Sequence, residues 1–377
     1  MARIVFFIDH LRPDGTQQVL KQLVTGLSRR SHTLAVVCLD ATWDEELIAI
    51  LRKAGAEVRI IGRWNMVSGF GTLSLWLWLR HRRFDVAVTL LAVADVVGRP
   101  LVRLAGIPRL VSSIRARNLN YPPWKLFLAK TTMPLVDAVI VNSSHTKSWA
   151  VNSEGAPQEQ TFVIVNGVEV DAYMHPIHRE ALRASLQLPS EQILIGSVGR
   201  LTEQKGQDLL IDALALLKRP DIHLMFVGEG NKETALRGQA TRLNLSQQVH
   251  FVGYRRDVPQ LLGALDLYVH PARFEGMPNA LLEAMAAGCP IIASDADGNR
   301  ELIEEGVSGW LTPVGDGEAL ARAINTALSN ADEAAQRGKM AQARAQTHFS
   351  IAAMVEAWES VLLQHYKYNG VKHVFTQ

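Results

Sequence analysis

Short, continuous apolar runs alternate with helical-period stretches along the first half of the chain. Ile4–Ile8, Thr33–Leu39, Glu57–Ile61, Val86–Leu91, Leu110–Ile114, Ala138–Asn142 and Thr161–Val165 read as strands. Thr16–Arg29, Asp44–Ala54 and Leu73–Arg83 read as helices between them. Strands separated by helices predict parallel βαβ units, and unbroken apolar runs fit strands covered on both faces. The pattern restarts at Leu194–Val198. Strands follow at His223–Val227, Val249–Val252, Leu267–His270 and Pro290–Ala293, with helices at Gln207–Leu217, Lys232–Leu243, Val258–Gly263 and Asn279–Ala287. The fold class is therefore α/β, with two doubly wound parallel-sheet domains. The join falls near Asp171–Pro189, a stretch with two prolines and mixed polarity. This gives an N-terminal domain over 1–175 and a C-terminal domain over 176–350. A final segment, 351–377, holds the amphipathic helix Ile351–Gln364 and is expected to pack back on the N-terminal domain. Ligands of such sheets bind outside the carboxyl ends of the strands, and two facing sheets would make a cleft.

With 377 residues the chain has room for two domains of ordinary size. Its 48% hydrophobic and 20% charged residues are those of a globular protein, and no nucleic-acid partner is expected. The apolar start Ile4–Ile8 is too short for a signal peptide, and the apolar run around Gly69–Leu79 is shorter than the ~20 residues that span a bilayer. Cys38 and Cys289 form no CxxC pair and are expected to be reduced and buried. These features set the expectation of a cytoplasmic protein. Net charge is +2 but uneven. Residues 1–170 hold 20 Lys+Arg and 13 Asp+Glu, the remainder 19 and 24. A basic front half fits an anionic partner or an anionic membrane face; ordinary surface variation gives the same count.

The candidate chemistry gathers in the second half. In Glu275-Gly276-Met277-Pro278-Asn279-Ala280-Leu281-Leu282-Glu283 two carboxylates stand eight positions apart, one on a Gly/Pro/Asn loop and one on an apolar helix. The helix start between them offers backbone N–H groups and a positive dipole end. Two hydroxyl-binding acids around an anion site suit a molecule with a phosphate in its middle and a sugar at each end. Ser197–Gly206 follows the first strand of the second domain. Gly199 lets the backbone turn, and Arg200 and Lys205 place two cations at a strand's carboxyl end. Such a pair suits a diphosphate, since Arg can chelate two oxygens and Lys acts as a point charge; a solvated charged loop is the plainer reading. Gly228, in Val227–Gly230, permits close approach of a ring, and Gly253-Tyr254-Arg255 could present backbone to the edge of a base, or form a simple turn.

The first domain is less explicit. Asp9–Thr16 follows the first strand and opens a helix, so Gly15 could bring a helix N-terminus to a phosphate. The segment is not a full GxGxxG, and no GxxxxGK[ST] occurs in the chain. Asp295-Ala296-Asp297 looks like a metal-binding DxD but has no nearby third ligand, and His10, His145 and His270 lack metal-ligand spacing. No metal site is expected. His10 is singled out because it faces the predicted cleft. Arg115 and Arg117 alternate at a strand end and could both point there. Asn120–Trp124 reads as a loop. Trp64, Trp76 and Trp78 stand near Arg80-His81-Arg82-Arg83, which fits core packing or a peripheral membrane face.

Taken together, Val198-Gly199-Arg200 through Lys205-Gly206 and the Glu275…Glu283 pair, supported by Val165–Val168 and Pro290–Asp295, resemble the retaining GT-B glycosyltransferases of family 4, also called group 1. The likeness is strongest over about 160–320 and weaker over 1–150. It implies that Arg200 and Lys205 hold the donor diphosphate, that Glu283 accepts hydrogen bonds from ribose hydroxyls, and that Glu275 faces the transferred sugar. It places backbone N–H groups of Gly276, Met277, Asn279 and Ala280 near phosphate or sugar, Gly15 against the distal phosphate, and Gly253–Arg255 near the base. Two positions depart from the family. Leu90 stands where a sugar-contacting histidine is common, and Asp14-Gly15-Thr16-Gln17-Gln18 replaces the commoner double glycine followed by an acid.

The resemblance implies transfer, with retention, of a hexosyl or N-acetylhexosaminyl group from a UDP- or GDP-linked donor to a hydroxyl of a glycan acceptor. No cofactor or metal is required, because two side-chain cations serve the leaving diphosphate. The basic first domain, the tryptophan-rich helix and Arg115/Arg117 point to a lipid-linked acceptor in cell-surface polysaccharide or glycolipid assembly, with peripheral contact at the inner membrane face. A soluble acceptor is the alternative. A nucleotide-sugar 2-epimerase of the same architecture would need acid/base groups clustered at the sugar, and a non-catalytic binding protein would need a decayed donor site; neither is visible.

Overall fold

The computed structural model describes residues 1–12, 14–62, 69–115, 122–173, 179–185 and 191–364. The chain divides into two compact units. One is Met1–Gly167 with the segment from Ile351 onward, and the other is Val168–Ser350.

The first unit holds a seven-stranded sheet of β1 (Arg3–Ile8), β2 (Thr33–Cys38), β3 (Glu57–Ile60), β4 (Val86–Leu90), β5 (Arg109–Ile114), β6 (Ala138–Val141) and β7 (Thr161–Val163). The order is β3-β2-β1-β4-β5-β6-β7, and every pairing is parallel. The continuous burial of β1, β2 and β4 explains their unbroken apolar sequences, since alternate residues enter different cores. Ile4, Phe6 and Ile8 pack with Leu20, Leu23 and Leu27 of helix Gly15–Arg29 and with Trp358 of helix Ile351–Leu363. Val5 and Phe7 pack on the opposite face with Leu75 and Leu79 of helix Phe70–Arg82. Trp358 is fully buried, and Glu359 reaches Arg30 (2.5 Å) and His32 (2.7 Å), so the terminal helix is part of this unit. Trp76 and Trp78 are partly buried against the core, whereas Trp64 lies outside the described residues.

The second unit holds six strands: β8 (Ile193–Val198), β9 (Ile222–Val227), β10 (Val249–Phe251), β11 (Leu267–His270), β12 (Ile291–Ser294) and β13 (Trp310–Thr312), in the order β10-β9-β8-β11-β12-β13. All pairings are again parallel. In each sheet the order reverses beside the first strand, between β1 and β4 and between β8 and β11. That reversal opens a crevice at the strands' carboxyl ends, where ligands of such sheets bind.

Sequence pattern missed β13, whose three residues are too few for a period to register. It also missed helices Arg99–Leu104, Pro123–Thr132, Ser144–Glu154, Gly317–Ser329 and Ala331–His348. The expected loop Asn120–Trp124 becomes helical from Pro123, because a proline at the first helical position is preorganised for it. Both cysteines are free and buried. Among the described residues no helix is long and apolar enough to cross a membrane.

Candidate functional site

The loops that leave β8, β9 and β10 in the second unit are joined backbone to backbone. Gly199 N–H donates to Val227 O (2.9 Å), Leu201 N–H to Glu229 O (2.9 Å) and Gly228 N–H to Gly253 O (2.8 Å). The glycines are required by contact. A Cβ on Gly228 would lie 2.2 Å from Gly199 O, and Gly228 has φ +133°. Gly253 has φ +68° and adjoins Glu229, whose Oε1 accepts the Tyr254 N–H at 3.4 Å. Tyr254 presents a half-exposed ring beside them.

After β8 the chain turns through Gly199 and Arg200 into a short 3-10 turn, Glu203–Lys205, then Gly206 and helix Gln207–Leu217. Gly206 has φ +67°, and a Cβ there would meet Pro271 O at 2.2 Å, so only glycine lets this loop lie against the one following β11. The two loops are tied further. Arg273 chelates Asp208 (2.8 and 2.6 Å) and donates to Glu203 O, while Gln204 Nε2 donates to Phe274 O (3.0 Å).

This frame brings Lys205 and Glu275 together. Lys205 Nζ lies 2.5 Å from Glu275 Oε1, and His270 Nε2 lies 3.2 Å from the same oxygen. Tyr268 Oη stands 3.3 Å from His270 Nδ1. Glu275, His270 and Tyr268 are all buried. Burial opposes ionisation of Glu275, but the Lys205 ammonium and the His270 hydrogen bond outweigh it and hold the carboxyl near 2. Burial pushes His270 down and Tyr268 up, so His270 is neutral and the phenol keeps its proton. Their protons are then assigned by chemistry. Tyr268 donates to Nδ1, and Nε2–H donates to the carboxylate. Sequence spacing groups Lys205 with Arg200 on one loop, and the contact between loops joins Lys205 to Glu275 as well. The sequence assigns His270 no role beyond its lack of metal-ligand spacing. Its place at the end of β11, five residues before Glu275, was the available signal.

Glu275 is followed by Gly276, buried Met277, and Pro278 as N-cap of helix Asn279–Ala286, which has no side-chain cap. A Cβ on Gly298 would lie 2.1 Å from Gly276 O, which fixes the path of this loop. Asn279, Ala280 and Glu283 are half-buried while Leu281, Leu282, Ala284, Met285 and Ala286 are buried. Spacings of three and four place the half-buried trio on one face, so Glu283 stands on the face that leads from the helix start. Its charge, after burial, adds to the upward shift of the Tyr173 and Tyr268 phenols. Arg200 is exposed at the rim of the same strand ends. Asp295 is ion-paired with Arg300, and among the described residues no group of three His, Cys, Asp or Glu is arranged to hold a metal.

In the first unit the expected residues are engaged locally. Asp14 Oδ1 accepts the Gly15 N–H (2.8 Å), so the helix start expected to meet a phosphate carries a carboxylate of its own. Gln17, almost fully buried, donates to His10 Nδ1 (3.1 Å) and His10 O (2.9 Å). Arg115 turns inward to Asn166 Oδ1, its carbonyl accepts from Asn142 (2.8 Å), and burial lowers its guanidinium to about 10. Arg117 lies outside the described residues. Leu90 is buried in the core, paired with Ile8 and Ser113. Asp9, given no role in the sequence, directly follows β1 with its carboxylate accepting from the Ala94 (2.7 Å) and Val93 (3.1 Å) N–H groups, and burial raises it to about 6.

Two doubly wound units, the second with Arg200, Lys205, Glu275 and Glu283 on the loops and helix at its strands' carboxyl ends, define an α/β architecture whose ligands bind at such a switch point. Comparison with known proteins agrees. The family model described as glycosyl transferases group 1 matches residues 178–344, and the glycosyltransferase family 4 model matches 13–172. The chain belongs to this glycosyltransferase family and has its GT-B fold. An Escherichia coli relative named UDP-Gal:alpha-D-GlcNAc-diphosphoundecaprenol alpha-1,3-galactosyltransferase is 28% identical over 67% of this chain and 68% of its own. The lipopolysaccharide core biosynthesis mannosyltransferase LpsB of Rhizobium meliloti is 28% identical over 66% of this chain and 71% of its own. The HepE protein of Anabaena, solved in complex with UDP, superposes with a TM-score of 0.85 at 27% identity, covering 96% of this chain and 99% of its own.

Proposed function

We propose that this glycosyltransferase moves a hexosyl or N-acetylhexosaminyl group from a UDP- or GDP-linked donor to a hydroxyl of a lipid-linked glycan, with retention, in cell-surface polysaccharide or glycolipid assembly. The observation that carries the reading is the Lys205–Glu275 pair at the β8/β11 switch point, with Arg200 beside it and Glu283 on the adjoining helix. HepE is solved with UDP-glucose, and the E. coli relative is named for a UDP-sugar donor and a diphosphoundecaprenol-linked acceptor. Those names support the donor class and the acceptor class, respectively.

In this reading Arg200 and Lys205 grip the diphosphate. Lys205 has three N–H donors and gives one to Glu275, leaving others for phosphate oxygens. Glu275, kept ionised, accepts hydroxyls of the transferred sugar, and Glu283 accepts those of the ribose. The bond from the anomeric carbon to the diphosphate breaks, and its electrons leave with the phosphate. The acceptor oxygen bonds to the same face, and its proton passes to the departing phosphate oxygen. The two cations and the helix start stabilise the developing anion, a contribution of a few kcal/mol per donor. The side-chain cations supply the charge a metal would, so the reaction is proposed to be metal-independent.

The test is incubation of the purified protein with a panel of nucleotide sugars, with and without lipid-linked acceptors, reading the product's anomeric configuration by NMR. An unchanged configuration and a requirement for the lipid-linked acceptor are expected. Inversion would overturn retention, and epimerised donor without acceptor would overturn transfer. Arg200→Ala should slow turnover by roughly a hundredfold; near-normal turnover would remove its phosphate role.

A further inference from the structure

One surface of the first unit is unlike the rest. Helices Phe70–Arg82, Arg99–Leu104 and Pro123–Thr132 lie side by side on one flank of the sheet. Trp76 Nε1 donates to Leu104 O (3.1 Å), and Arg99 Nη1 donates to Ala129 O (3.0 Å) and Thr132 Oγ1 (3.2 Å). Inward residues Leu75, Leu79, Leu101 and Val102 join the core. Outward, Phe70, Leu73, Leu77, Leu104, Trp124 and Phe127 are each more than half exposed. Phe70, Leu73 and Leu77 stand three and four apart on one helix face, and Arg80 and His81 continue that face. Trp124 and Phe127 likewise lead to Lys130. A helix apolar on its outer as well as its inner side is ordinarily covered.

The charge around this surface is one-sided. Residues 70–132 contain ten Lys+Arg and two Asp+Glu. Of the ten, Arg99 is buried, Arg109 and Arg115 are turned to Val361 O and Asn166, and Arg117 lies outside the described residues, which leaves Arg80, Arg82, Arg83, Arg103, Lys125 and Lys130 on this flank. Of the two acids, Asp95 is buried against Arg99, Thr89 and Ser112, and Asp85 holds the Arg3 N–H. Arg82 and Arg103 are paired with Glu57 and Asp137 from neighbouring elements, whereas Arg80, Arg83 and Lys130 are exposed. Arg80 lies over the Trp76 ring (5.1 Å) and Lys125 over Trp124 (5.8 Å), basic heads on aromatic bodies. A second copy of this chain on a two-fold axis would set basic groups against basic groups. An anionic surface with an apolar interior satisfies both features at once.

We propose that these helices form a docking face for an anionic phospholipid bilayer, with Phe70, Leu73, Leu77, Trp124 and Phe127 entering the headgroup boundary and Arg80, Arg83 and Lys130 meeting lipid phosphates. The proposal stands apart from the donor site, so Arg200→Ala must still bind vesicles. The experiment is flotation of the full chain with phosphatidylglycerol/phosphatidylcholine vesicles and with pure phosphatidylcholine, at low and high salt. Binding to the anionic vesicles that high salt weakens is expected. Arg80→Ala with Lys130→Ala, both at exposed helical positions, should bind roughly thirtyfold more weakly. Leu73→Glu with Leu77→Glu should abolish binding while keeping the wild-type Tm, and Arg242→Ala with Arg322→Ala in the second unit should change nothing. Absence of binding, equal binding to neutral vesicles, or unaltered binding by the first two variants would overturn it. So would a wild-type dimer that Leu73→Glu with Leu77→Glu converts to a monomer.

Discussion

A carboxyl as enclosed as that of Glu275 would ordinarily keep its proton, because burial disfavours the charged form. Here Lys205 and neutral His270 reverse that preference and hold it near 2, below its ordinary 4.5. A depressed carboxyl contributes stability that is fully present above its unfolded pKa and is lost as pH falls through the folded one. The gap in Tm between wild type and Glu275→Gln is therefore expected to be constant above about pH 5 and to close toward about pH 2; a gap independent of pH down to that limit would contradict the ion pair. Asp9 has the opposite sign. Burial raises it to about 6, so its ionisation opposes folding increasingly as pH rises between 3.8 and that value. Asp9→Asn should narrow the loss of stability over that interval, read from thermal melts across it. Glu283 shows what local geometry adds. Spacing alone separates it from Glu275, but only the helix face shared with Asn279 and Ala280 shows where it leads.

The loops matter more than the strands for positioning these side chains. Gly206→Ala would force a Cβ into Pro271 O and leave alanine at φ +67°. A loss of about 1–3 kcal/mol is expected, together with weaker donor binding, because the contact that seats Lys205 against Glu275 would open; wild-type stability would contradict the account of this loop. The twelve strands other than β13 were legible as short apolar runs flanked by turn residues, most of them buried along their length, and so was the glycine-rich exit of β8. β13 was too short to register. Helix Ala331–His348 carries an alanine-rich sequence whose apolar period is weak, whereas Gly317–Ser329 has a clear period in Leu320, Ala321, Ile324 and Ala327 that was legible and not used. Residue pairs were the least legible part. Nothing in one-dimensional spacing joins Lys205 to a glutamate seventy positions away, or His270 to that same oxygen. The expected roles of Arg115 and His10 show the converse, because inward hydrogen bonds to Asn166 and from Gln17 are invisible until the neighbouring strands are in place.

For the molecule as a whole, charge and apolar surface are distributed unevenly between the two units. The second unit concentrates its exposed cation Arg200, the Lys205–Glu275 pair and Glu283 at one switch point. The first unit carries Arg80, Arg82, Arg83, Arg103, Lys125 and Lys130 along one helical flank with exposed apolar side chains between them. A glycosyltransferase that holds a soluble nucleotide sugar in one unit and meets a lipid-borne acceptor through the other would use both. The donor half of that account rests on two side-chain cations recognising a second phosphate. Calorimetric titration of UDP and GDP against UMP and GMP, into wild type, Arg200→Ala and Lys205→Ala, tests it most directly. Wild type is predicted to prefer one of the diphosphates over its monophosphate, and each substitution to reduce that preference by roughly ten- to a hundredfold, the worth of one charge-assisted hydrogen bond. Equal affinity of the wild type for mono- and diphosphate, or a preference that survives both substitutions, would contradict it.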